Sequence, residues 1–536
     1  MGKLKIGWAE RDITYRKMIN LPGHLAYHFP RDGVHDPLTT TALVLENGED
    51  IAIFLSVDGM ALRAFALDEI RAKVLEKNPE IDVWKIIANT THAHTGPSYD
   101  HEIPGKLNIE RLCKLGYSEE TIRAVAEYEE GASLFNYVDN GDIEIGDGDD
   151  SREYFTDLAS DAICEAYANR KYGGFSYGYG YAVVGHSRRA VYFDDLSKRP
   201  GVERNARTAV HGHAMMYGDT TDPQFSHYEA GADHFVNILF TFDENDKLNG
   251  AVINVPCPSQ CSEGMNMLTA DYWCDVKREL RAKYGNIPIL PQCAAAGDLS
   301  PHMMHYKKAF DRRLNLKFGE ETDPQQNEIQ NRELKNRRDI AERICWAFDE
   351  VLSWAKKDIR RDITLKHETK LLQLDPRLIT DEEYKLAVDM LADYEQREQT
   401  ATSDDPYFRL VELSNYPASI IRLKHVIHRY NNQSPDKKVA AEVHAVRVDD
   451  MAFATNTFEL YMDFMHRIQA RSPFGQTFVV QLCGMTLRGG ETYICTQRAF
   501  ENKGYSTSMY DNLASVKGGQ DLVEGTLEML NKIHEN

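Results

Sequence analysis

The amino-acid sequence predicts an α/β protein in which layered mixed sheets carry flanking helices. Two observations lead to this fold class. Short apolar segments alternate with amphipathic helical patterns along most of the chain, an order typical of layered α/β domains. Polar motifs follow several of these apolar segments directly, where such folds tend to place their chemistry. The chain has 536 residues, of which 42% are hydrophobic. This is enough for one large unit with insertions, or for two or three domains.

The first hundred residues contain the strongest local signals. The segment TTALVLENGEDIAIFLSVDG predicts two strands joined at Asn47-Gly48, because Asn-Gly favours tight hairpin turns. A helix over about 67–76 and a strand over 83–91 follow. That strand runs into THAHTGPSY, so we expect this motif on a loop at the carboxyl end of the strand.

Later segments predict further strands and helices around two insertions, and no internal repeat is visible. Residues from about 101 to 150 form the first insertion, whose acidic end GDIEIGDGDD lacks the spacing of a calcium-binding loop. Residues 323–435 are charged and helical. We therefore expect a core in two parts, 1–322 and 436–536, separated by a helical insertion or cap over 323–435. The other predicted elements are helices over 151–170, 270–285, 458–470 and 518–533, a Gly/Tyr-rich strand from 174, and strands in VNILFTFD, NGAVINVPCPSQ, NIPILPQC, AAEVHAVRVDDMAFATN and QTFVVQLCG.

Charge and cysteine content restrict the partners and the compartment. The chain has 62 Lys and Arg against 83 Asp and Glu, a formal charge of -21, which repels nucleic acids and anionic membranes. Its nine cysteines include no C-x-x-C pair, which favours reduced thiols. Neither a signal-like segment nor a stretch of 18 apolar residues occurs. We expect a cytoplasmic protein without nucleic-acid or membrane partners. A chain whose signal peptide had been removed would show the same features.

Two histidines separated by one residue are the first candidates for chemistry. His92 and His94 lie in the loop THAHTGP. Imidazoles at alternate positions of an extended loop do not easily face one ion together. One of them is therefore expected to bind a metal, and the other to support it or to contact an oxyanion. On the residues alone, a structural or surface role is equally open.

Two further segments carry polar side chains after apolar strands. In GDLSPH, Asp298 and His302 flank Ser300, which could act as a nucleophile or donate a hydrogen bond to a leaving group. The pair Arg188-Arg189 in GHSRRAVY could hold a carboxylate or an oxyanion. Taken alone, G-D-x-S-P is also a common turn, and an arginine pair is often a salt-bridged surface feature.

Several motifs together resemble the neutral, non-lysosomal ceramidase family, in the family's sequence order and over about residues 5–510. The chain has GWAERDIT where the family has G-x-G-x-x-D-I-T, THAHTGPSY where it has T-H-T-H-S-G-P, and GDLSP where it has G-D-V-S-P. The remaining matches are SVDGM, the Arg-bearing GHSRRAVY, ATNTFELY with Glu459, and GGETYICT with Tyr493.

The resemblance implies a zinc-dependent hydrolase acting on an amide or related acyl bond. It makes His92, Glu459 and Tyr493 ligands of one Zn²⁺ ion, which would acidify a bound water and polarise the scissile carbonyl. The other implied roles are those of residues around the ion: His94 supports it or contacts the substrate, Arg188 contacts the oxyanion, Ser300 lies beside the scissile bond, and Asp298 orients that loop.

Three departures from the family pattern change the expected substrate. Where the family has a second zinc-binding histidine, this chain reads PCPSQCSE. Cys257 is nearest that position, and it is either a replacement ligand, since thiolates bind zinc, or a buried structural residue. On this resemblance we expect no counterpart of the family's C-terminal immunoglobulin-like domain, and residues 323–435 show no apolar groove for an acyl chain. We therefore expect a polar small-molecule substrate rather than ceramide. Other candidates for the missing ligand are His213, His227, His234 and His302.

Two alternatives to an amidase remain open at this point. The first is a glycoside or ester hydrolase on the same scaffold, because a fold does not determine a function. A pair of carboxylates about 5 to 10 Å apart in one pocket would favour a glycosidase. The candidates for that pair are Asp298, Glu229, Glu263 and Glu459. The second alternative is an inactive ligand-binding protein that kept the fold and lost the ion.

Overall fold

The α/β fold class is confirmed, and one supersecondary unit occurs three times in the described chain. The computed structural model describes residues 2–535 except 25, 63–64, 98, 100–107, 124–140, 142, 203–211, 321, 324–325 and 487–491. In each unit, two antiparallel strands form a hairpin and a helix follows. The next strand then pairs in parallel with the second strand of the hairpin.

The three units share this order of hairpin, helix and parallel strand. The first unit consists of Thr39–Glu46, Ile51–Val57, the helix Ala66–Lys77 and Ile86–Thr90. The second consists of Phe235–Phe242, Leu248–Val255, the helix Tyr272–Tyr284 and Ile289–Cys293. The third consists of Val439–Val448, Met451–Thr455, the helix Met462–Arg471 and Gln476–Val480.

Each unit is completed by an outer strand that precedes it and a long helix that follows it. The outer strands pair with the first strand of each hairpin and are Lys5–Asp12, Gly174–Tyr181 and Leu365–Leu374. The covering helices pack on the same sheets and are Gly148–Ala168, Glu328–Ala355 and Val516–Glu535.

Shorter elements fill the connections between these units. The remaining helices are Ile109–Cys113, Lys307–Phe318, Asp381–Gln396, Pro406–Asn432 and Gln497–Asn502, with 3-10 turns at Val83–Lys85 and Leu196–Lys198. The remaining strands are Gly2–Lys3, Lys171–Tyr172, His186–Ser187, Arg189–Tyr192, Ala214–Met216, Phe225–Tyr228, Leu299–Ser300, Asp362–Ile363, Glu459–Leu460 and Tyr493–Ile494.

The three sheets enclose one central core. Their inward-facing side chains belong to a single buried cluster, and their outer faces pack on the covering helices in separate clusters. Because both faces are covered, the strands are nearly continuous apolar runs rather than alternating ones. The central cluster takes Leu43, Phe54 and Ile87 from the first sheet, Leu239, Val252 and Leu290 from the second, and Val446, Phe453 and Phe478 from the third.

Buried polar side chains tie the sheets together at the carboxyl ends of the parallel strands. Ser56 Oγ donates to the Pro291 carbonyl at 2.6 Å, and Asn89 Nδ2 donates to the same oxygen at 3.1 Å. Asn254 Nδ2 donates to the Val479 carbonyl at 3.0 Å. These bonds join the first sheet to the second and the second to the third, so the loops that leave this end are held close together.

Several sequence predictions are confirmed locally. The hairpin turns at Asn47-Gly48, with Glu46 opposite Ile51 and Gly48 at a φ of 84°. The predicted helices near 67–76, 151–170, 270–285 and 518–533 are present with ends shifted by a few residues. The strand predicted over 83–91 begins only at Ile86, after one 3-10 turn. Half of the predicted insertion over 101–150, namely residues 101–107, 124–140 and 142, lies outside the described residues.

The segment 323–435, which the sequence predicts to be helical, also contains a strand. It contains the strand Leu365–Leu374, which pairs along its whole length with Val439–Val448. The charged residues of this strand suggest the exposed face of a helix, but in the structure they alternate with buried residues along a half-exposed strand. Asp381–Gln396 and Pro406–Asn432 pack on each other, while Glu328–Ala355 covers the second sheet. No helix in the described ranges has the length and apolar character needed to cross a bilayer.

Replacing Asn254 by alanine should destabilise the protein by about 1 to 3 kcal/mol, because it removes a fully buried bond between the second and third sheets. Urea denaturation of the variant and of the wild type measures the difference. Asn245→Ala, in the exposed turn of the same hairpin, is the matched control and should change stability by less than about 0.5 kcal/mol. Equal, small effects of the two substitutions would mean that Asn254 does not join the sheets.

Candidate functional site

Polar loops from all three units meet at the carboxyl ends of the parallel strands. The loop after Ile86–Thr90 carries His92, and the loop after Ile289–Cys293 carries Ser300. The main chains touch directly, since the Gly297 amide donates to the Leu460 carbonyl at 2.9 Å. A Cβ atom on Gly297 would lie 2.5 Å from the Glu459 carbonyl oxygen, so only glycine allows this approach.

His92 is held in one tautomer with its second nitrogen facing Glu459. Nδ1 lies 2.8 Å from the Met60 carbonyl oxygen. A carbonyl only accepts, so Nδ1 carries the proton and the Nε2 lone pair is free. Nε2 lies 3.5 Å from Glu459 Oε2. Burial lowers the pKa of His92 to about 4, so the ring is neutral at pH 7, the form in which imidazole binds metals. Its backbone has a φ of 61°, an unfavourable conformation for a non-glycine residue.

Glu459 and Tyr493 are brought side by side by a short parallel bridge. Glu459 lies opposite Tyr493 in this pairing, although 33 residues separate them in the sequence. Burial, and then the charge of Glu459, raise the pKa of the Tyr493 phenol well above its ordinary value. The three side chains that the resemblance implied as zinc ligands therefore lie together: the His92 imidazole, the Glu459 carboxylate and the Tyr493 phenol.

These donors fit a catalytic zinc ion of the three-ligand type. Within the described ranges, no group of three or more His, Cys, Asp and Glu side chains is arranged to hold a metal ion. The set near His92 reaches three only when the Tyr493 phenol is counted. Catalytic zinc sites commonly use three protein ligands and leave a fourth position for water, and nitrogen and oxygen donors suit the ion.

Cys257 is not brought to these donors by any contact in the described structure. Its thiol lies in the core of the second unit and donates to the Pro258 carbonyl at 3.5 Å. Burial raises the pKa of this thiol well above its ordinary value. Among the other candidates, His213 contacts the Tyr192 carbonyl and His227 contacts Ser226.

The two neighbouring arginines have different surroundings. The Arg188 guanidinium donates from Nη2 to the Gly297 carbonyl at 2.7 Å and to the Tyr493 hydroxyl at 3.1 Å. It also lies over the rings of Tyr493 and Tyr505, 5.5 and 5.9 Å from their centroids. No carboxylate of the described residues comes within ion-pair distance of it, although it is buried. A buried guanidinium without a carboxylate partner is suited to bind an anion.

Arg189 has a structural role in contrast. Its guanidinium pairs with Glu229 through bonds of 2.6 and 3.1 Å. It also donates to the main-chain carbonyls of Tyr505, Ala499 and Lys503. All three of its guanidinium nitrogens donate to the protein, and it anchors the segment that carries Tyr505.

Asp298 and Ser300 occupy different positions in one buried loop. Asp298 Oδ1 accepts a hydrogen bond of 3.1 Å from the Met462 amide at the start of Met462–Arg471, so it caps that helix. Burial raises the pKa of Asp298 to about 6. Ser300 Oγ accepts from the Tyr217 hydroxyl at 3.2 Å and from the His302 amide at 3.1 Å. These bonds leave the hydroxyl proton of Ser300 available for a further acceptor.

A second polar group extends from His94. Its Nδ1 lies 3.1 Å from Glu263 Oε2, and its ring centroid lies 4.8 Å from that of His92. Gln260 Nε2 donates to Glu263 at 3.0 Å, and His302 Nε2 lies 3.9 Å from the other carboxylate oxygen. Burial opposes ionisation of Glu263, but the neighbouring His94 and His302 outweigh it and lower its pKa to about 2. The carboxylate is therefore ionised between the imidazoles.

Sequence reasoning missed part of this arrangement. Glu263 was expected only as one of several glycosidase candidates, and Tyr505, Tyr217 and Gln260 were not singled out. Their proximity to the histidines comes from contacts between separate loops, and no local pattern marks it. His24 also reaches this group, with Nε2 3.0 Å from the Glu263 carbonyl oxygen.

Comparison with known structures supports the fold. No family model and no curated protein matches the sequence. The neutral ceramidase from Pseudomonas aeruginosa matches with a TM-score of 0.60 and 14% identity, over 100% of this chain and 75% of that chain. A ceramidase complexed with C2 matches with a TM-score of 0.59 and 13% identity, over 100% and 76%. The chain thus has a neutral-ceramidase-like fold along its whole length, as the sequence motifs predicted.

Replacing each arginine by methionine should separate their roles. Arg189→Met leaves the buried Glu229 without its partner and should cost about 3 to 5 kcal/mol of stability. Arg188→Met leaves no carboxylate without a partner and should cost only about 1 to 2 kcal/mol of stability. Chemical denaturation of both variants decides. A loss for Arg188→Met as large as that for Arg189→Met would show that Arg188 is mainly structural.

Proposed function

We propose that this chain is a zinc-dependent hydrolase that cleaves an amide bond of a polar substrate other than ceramide. The observation that carries the proposal is the meeting of His92 Nε2, the Glu459 carboxylate and the Tyr493 hydroxyl beside the Arg188 guanidinium, which has no carboxylate partner among the described residues. A ligand set next to a buried cation is what amide hydrolysis requires, because the reaction develops an oxyanion. The neutral-ceramidase-like fold agrees with an amide hydrolase scaffold.

The ion would be held by His92, Glu459 and Tyr493. When bound, zinc polarises a carbonyl and lowers the pKa of a bound water. The Met60 carbonyl prepares His92 for this role by fixing its tautomer.

Arg188 would stabilise the negative charge that develops on the substrate oxygen. The bonds to Gly297 and Tyr493 fix its guanidinium, and its Nε has no hydrogen-bond partner among the described residues. A preorganised donor of this kind needs no rearrangement as charge develops, which is the source of its catalytic effect.

His94 would move a proton at the reacting bond, and Ser300 would donate a hydrogen bond there. His94 accepts a proton from the attacking water, and Glu263 at 3.1 Å stabilises the resulting imidazolium. As the C–N bond breaks, the proton held by His94 passes to the departing nitrogen, and Ser300 donates a hydrogen bond to that nitrogen while Tyr217 and the His302 amide hold its oxygen in place. Asp298 acts on this loop by capping Met462–Arg471 rather than on the substrate.

The side chains next to the proposed ligands favour a polar substrate. Glu263, Gln260, His94 and His302 form one group of neighbouring polar side chains there. A long acyl chain would have to desolvate these groups without satisfying them, at a cost of about 1 to 3 kcal/mol for each. A hydroxyl-rich or charged substrate can bond to them instead.

A glycoside hydrolase is the second candidate, and one observation favours it. Asp298 and Glu229 are engaged by Met462 and Arg189. Glu263 and Glu459 instead contact the adjacent imidazoles His94 and His92. Two such carboxylates near one substrate are what glycosidases use.

Changing His92 to alanine should remove zinc and activity together, because it removes the one nitrogen donor of the set. Elemental analysis of the purified variant measures the metal content. His534→Ala, an exposed histidine near the C-terminus, is the matched control and should keep the metal content of the wild type. Stoichiometric zinc in the His92 variant would contradict the assignment.

Changing Ser300 to alanine should lower turnover by about 100-fold and leave the zinc content unchanged, because the lost hydroxyl is a hydrogen-bond donor and not a ligand. Steady-state kinetics and metal analysis are measured on the same preparation. Ser118→Ala, on the exposed surface, controls for loss of a hydroxyl in general. Turnover close to that of the wild type would reduce the Ser300 loop to a structural turn.

A substrate panel should place ceramide below polar amides. Fluorogenic ceramide, N-acyl amino acids, N-acyl sugars and aryl glycosides are compared under the same conditions. The best polar amide should exceed ceramide in kcat/KM by at least about tenfold, because the groups around Glu263 are satisfied only by polar substrates. Preference for ceramide would refute the polar-substrate proposal. Turnover of glycosides alone would promote the second candidate, and no turnover of any compound would favour an inactive binding protein.

A further inference from the structure

An aromatic cavity lies outside the site described above, at the edge of the second sheet. It measures about 420 Å³ and is lined by two tyrosines, two tryptophans, an alanine and one carboxylate. Its rings are 39 to 67% exposed, an unusual exposure for side chains of this size. The lining residues are Tyr179, Tyr181, Trp346, Ala347, Glu350 and Trp354.

The Gly/Tyr alternation of Gly174–Tyr181 builds this cavity. The covering helix Glu328–Ala355 lies close to the strand because the glycines have no side chains. A Cβ atom on Gly178 would lie 2.2 Å from Trp354 Cη2, and one on Gly180 would lie 3.1 Å from the Ala347 Cβ atom. The glycines therefore let the tryptophans of the helix pack beside this edge strand, while the alternating tyrosines point to the other face of the sheet and border the cavity from across the strand edge.

The rings are held in place by their neighbours. Tyr179 and Tyr181 meet edge to face at 5.9 Å, and Phe235 contacts both, at 5.2 and 5.3 Å. On the helix, Trp346 and Trp354 lie four residues before and after Glu350, so all three share one face. The Trp354 indole donates to Glu350 Oε1 at 2.9 Å, which fixes the carboxylate next to the rings.

The charge of the cavity points to a cationic ligand. Aromatic faces carry negative potential and attract cations, most strongly ammonium groups that are only weakly hydrated. Glu350 adds a full negative charge and forms no ion pair with a lysine or arginine in the part of the chain that the structure describes. No basic residue lines the cavity. Lys317 lies 5.5 Å from the Trp346 ring centroid, but Asp339 and Glu342 hold its ammonium group.

We propose that this aromatic cavity binds a small, soluble quaternary ammonium compound. The tryptophan faces and, across the strand edge, the tyrosine rings border the site of the alkylated nitrogen, and Glu350 neutralises its charge. An anion or a phosphate-bearing headgroup would be repelled by Glu350 and by the overall charge of -21. The inference is independent of the proposed hydrolase activity, because no residue of the cavity belongs to that site.

Calorimetric titration of the full-length protein with choline tests the proposal, together with tryptophan fluorescence. Saturable binding is expected. The neutral isostere of choline, in which a tert-butyl group replaces the trimethylammonium group, should bind at least about tenfold more weakly. Glu350→Gln and Trp346→Ala should each weaken choline binding by about tenfold. Phe193→Ala removes a ring that is 72% exposed outside the cavity and should leave binding unchanged.

The following outcomes would each overturn the proposal. Equal binding of choline and its neutral isostere would make the cavity a plain apolar pocket. Binding of maltose without choline would identify a sugar platform, and binding of phosphatidylcholine vesicles without free choline would identify a lipid surface. Because Glu350→Gln is isosteric, retained choline binding in that variant would exclude the cage even if Trp346→Ala failed to fold.

Discussion

The whole site depends on one constraint, which is that the carboxyl ends of the parallel strands from three units meet at one end of a shared core. The bonds from Asn254 to Val479 and from Asn89 to Pro291 hold these ends together. Below them, the apolar interior is closed by side chains from every sheet. Each loop therefore leaves its strand from a fixed point. Residues far apart in sequence, such as His92 and Glu459, can then face each other across 3.5 Å.

This arrangement also explains why an unfavourable backbone is tolerated at the centre of the site. The left-handed conformation of His92 costs on the order of 1 to 3 kcal/mol. The surrounding loops maintain it, since Nδ1 bonds to the Met60 carbonyl and the ring is buried against His94. In this conformation Nε2 lies 3.5 Å from Glu459 Oε2. The packing of the three-sheet core thus offsets the cost of holding Nε2 of His92 in place.

A structural feature could be predicted from the sequence when the residues that determine it are close together in the chain. The hairpin at Asn47-Gly48 needs only its own turn residues, and it was predicted correctly. The helix predicted over 458–470 begins instead at Met462, because Glu459–Leu460 pairs with the distant Tyr493–Ile494. The repetition of the three units was invisible because they share hydrogen-bonding order and not side chains. The proposed ligands were found through motif resemblance, whereas Glu263 and Tyr505 reach the site by contacts that no short motif records.

Glu459 and Arg188 shift the pKa of the Tyr493 phenol in opposite directions. Burial and the charge of Glu459 raise the pKa of its phenol, while Arg188, which donates to its oxygen at 3.1 Å, acts in the opposite direction. The same guanidinium has no carboxylate of its own among the described residues, so its charge is shared between the Gly297 carbonyl and two tyrosine rings. Carbonyl dipoles and ring faces compensate a buried cation only in part. A substrate oxyanion would complete that compensation. Under the proposed hydrolysis, the incomplete pairing of Arg188 would favour the charged transition state over the neutral substrate, which is the difference that catalysis requires.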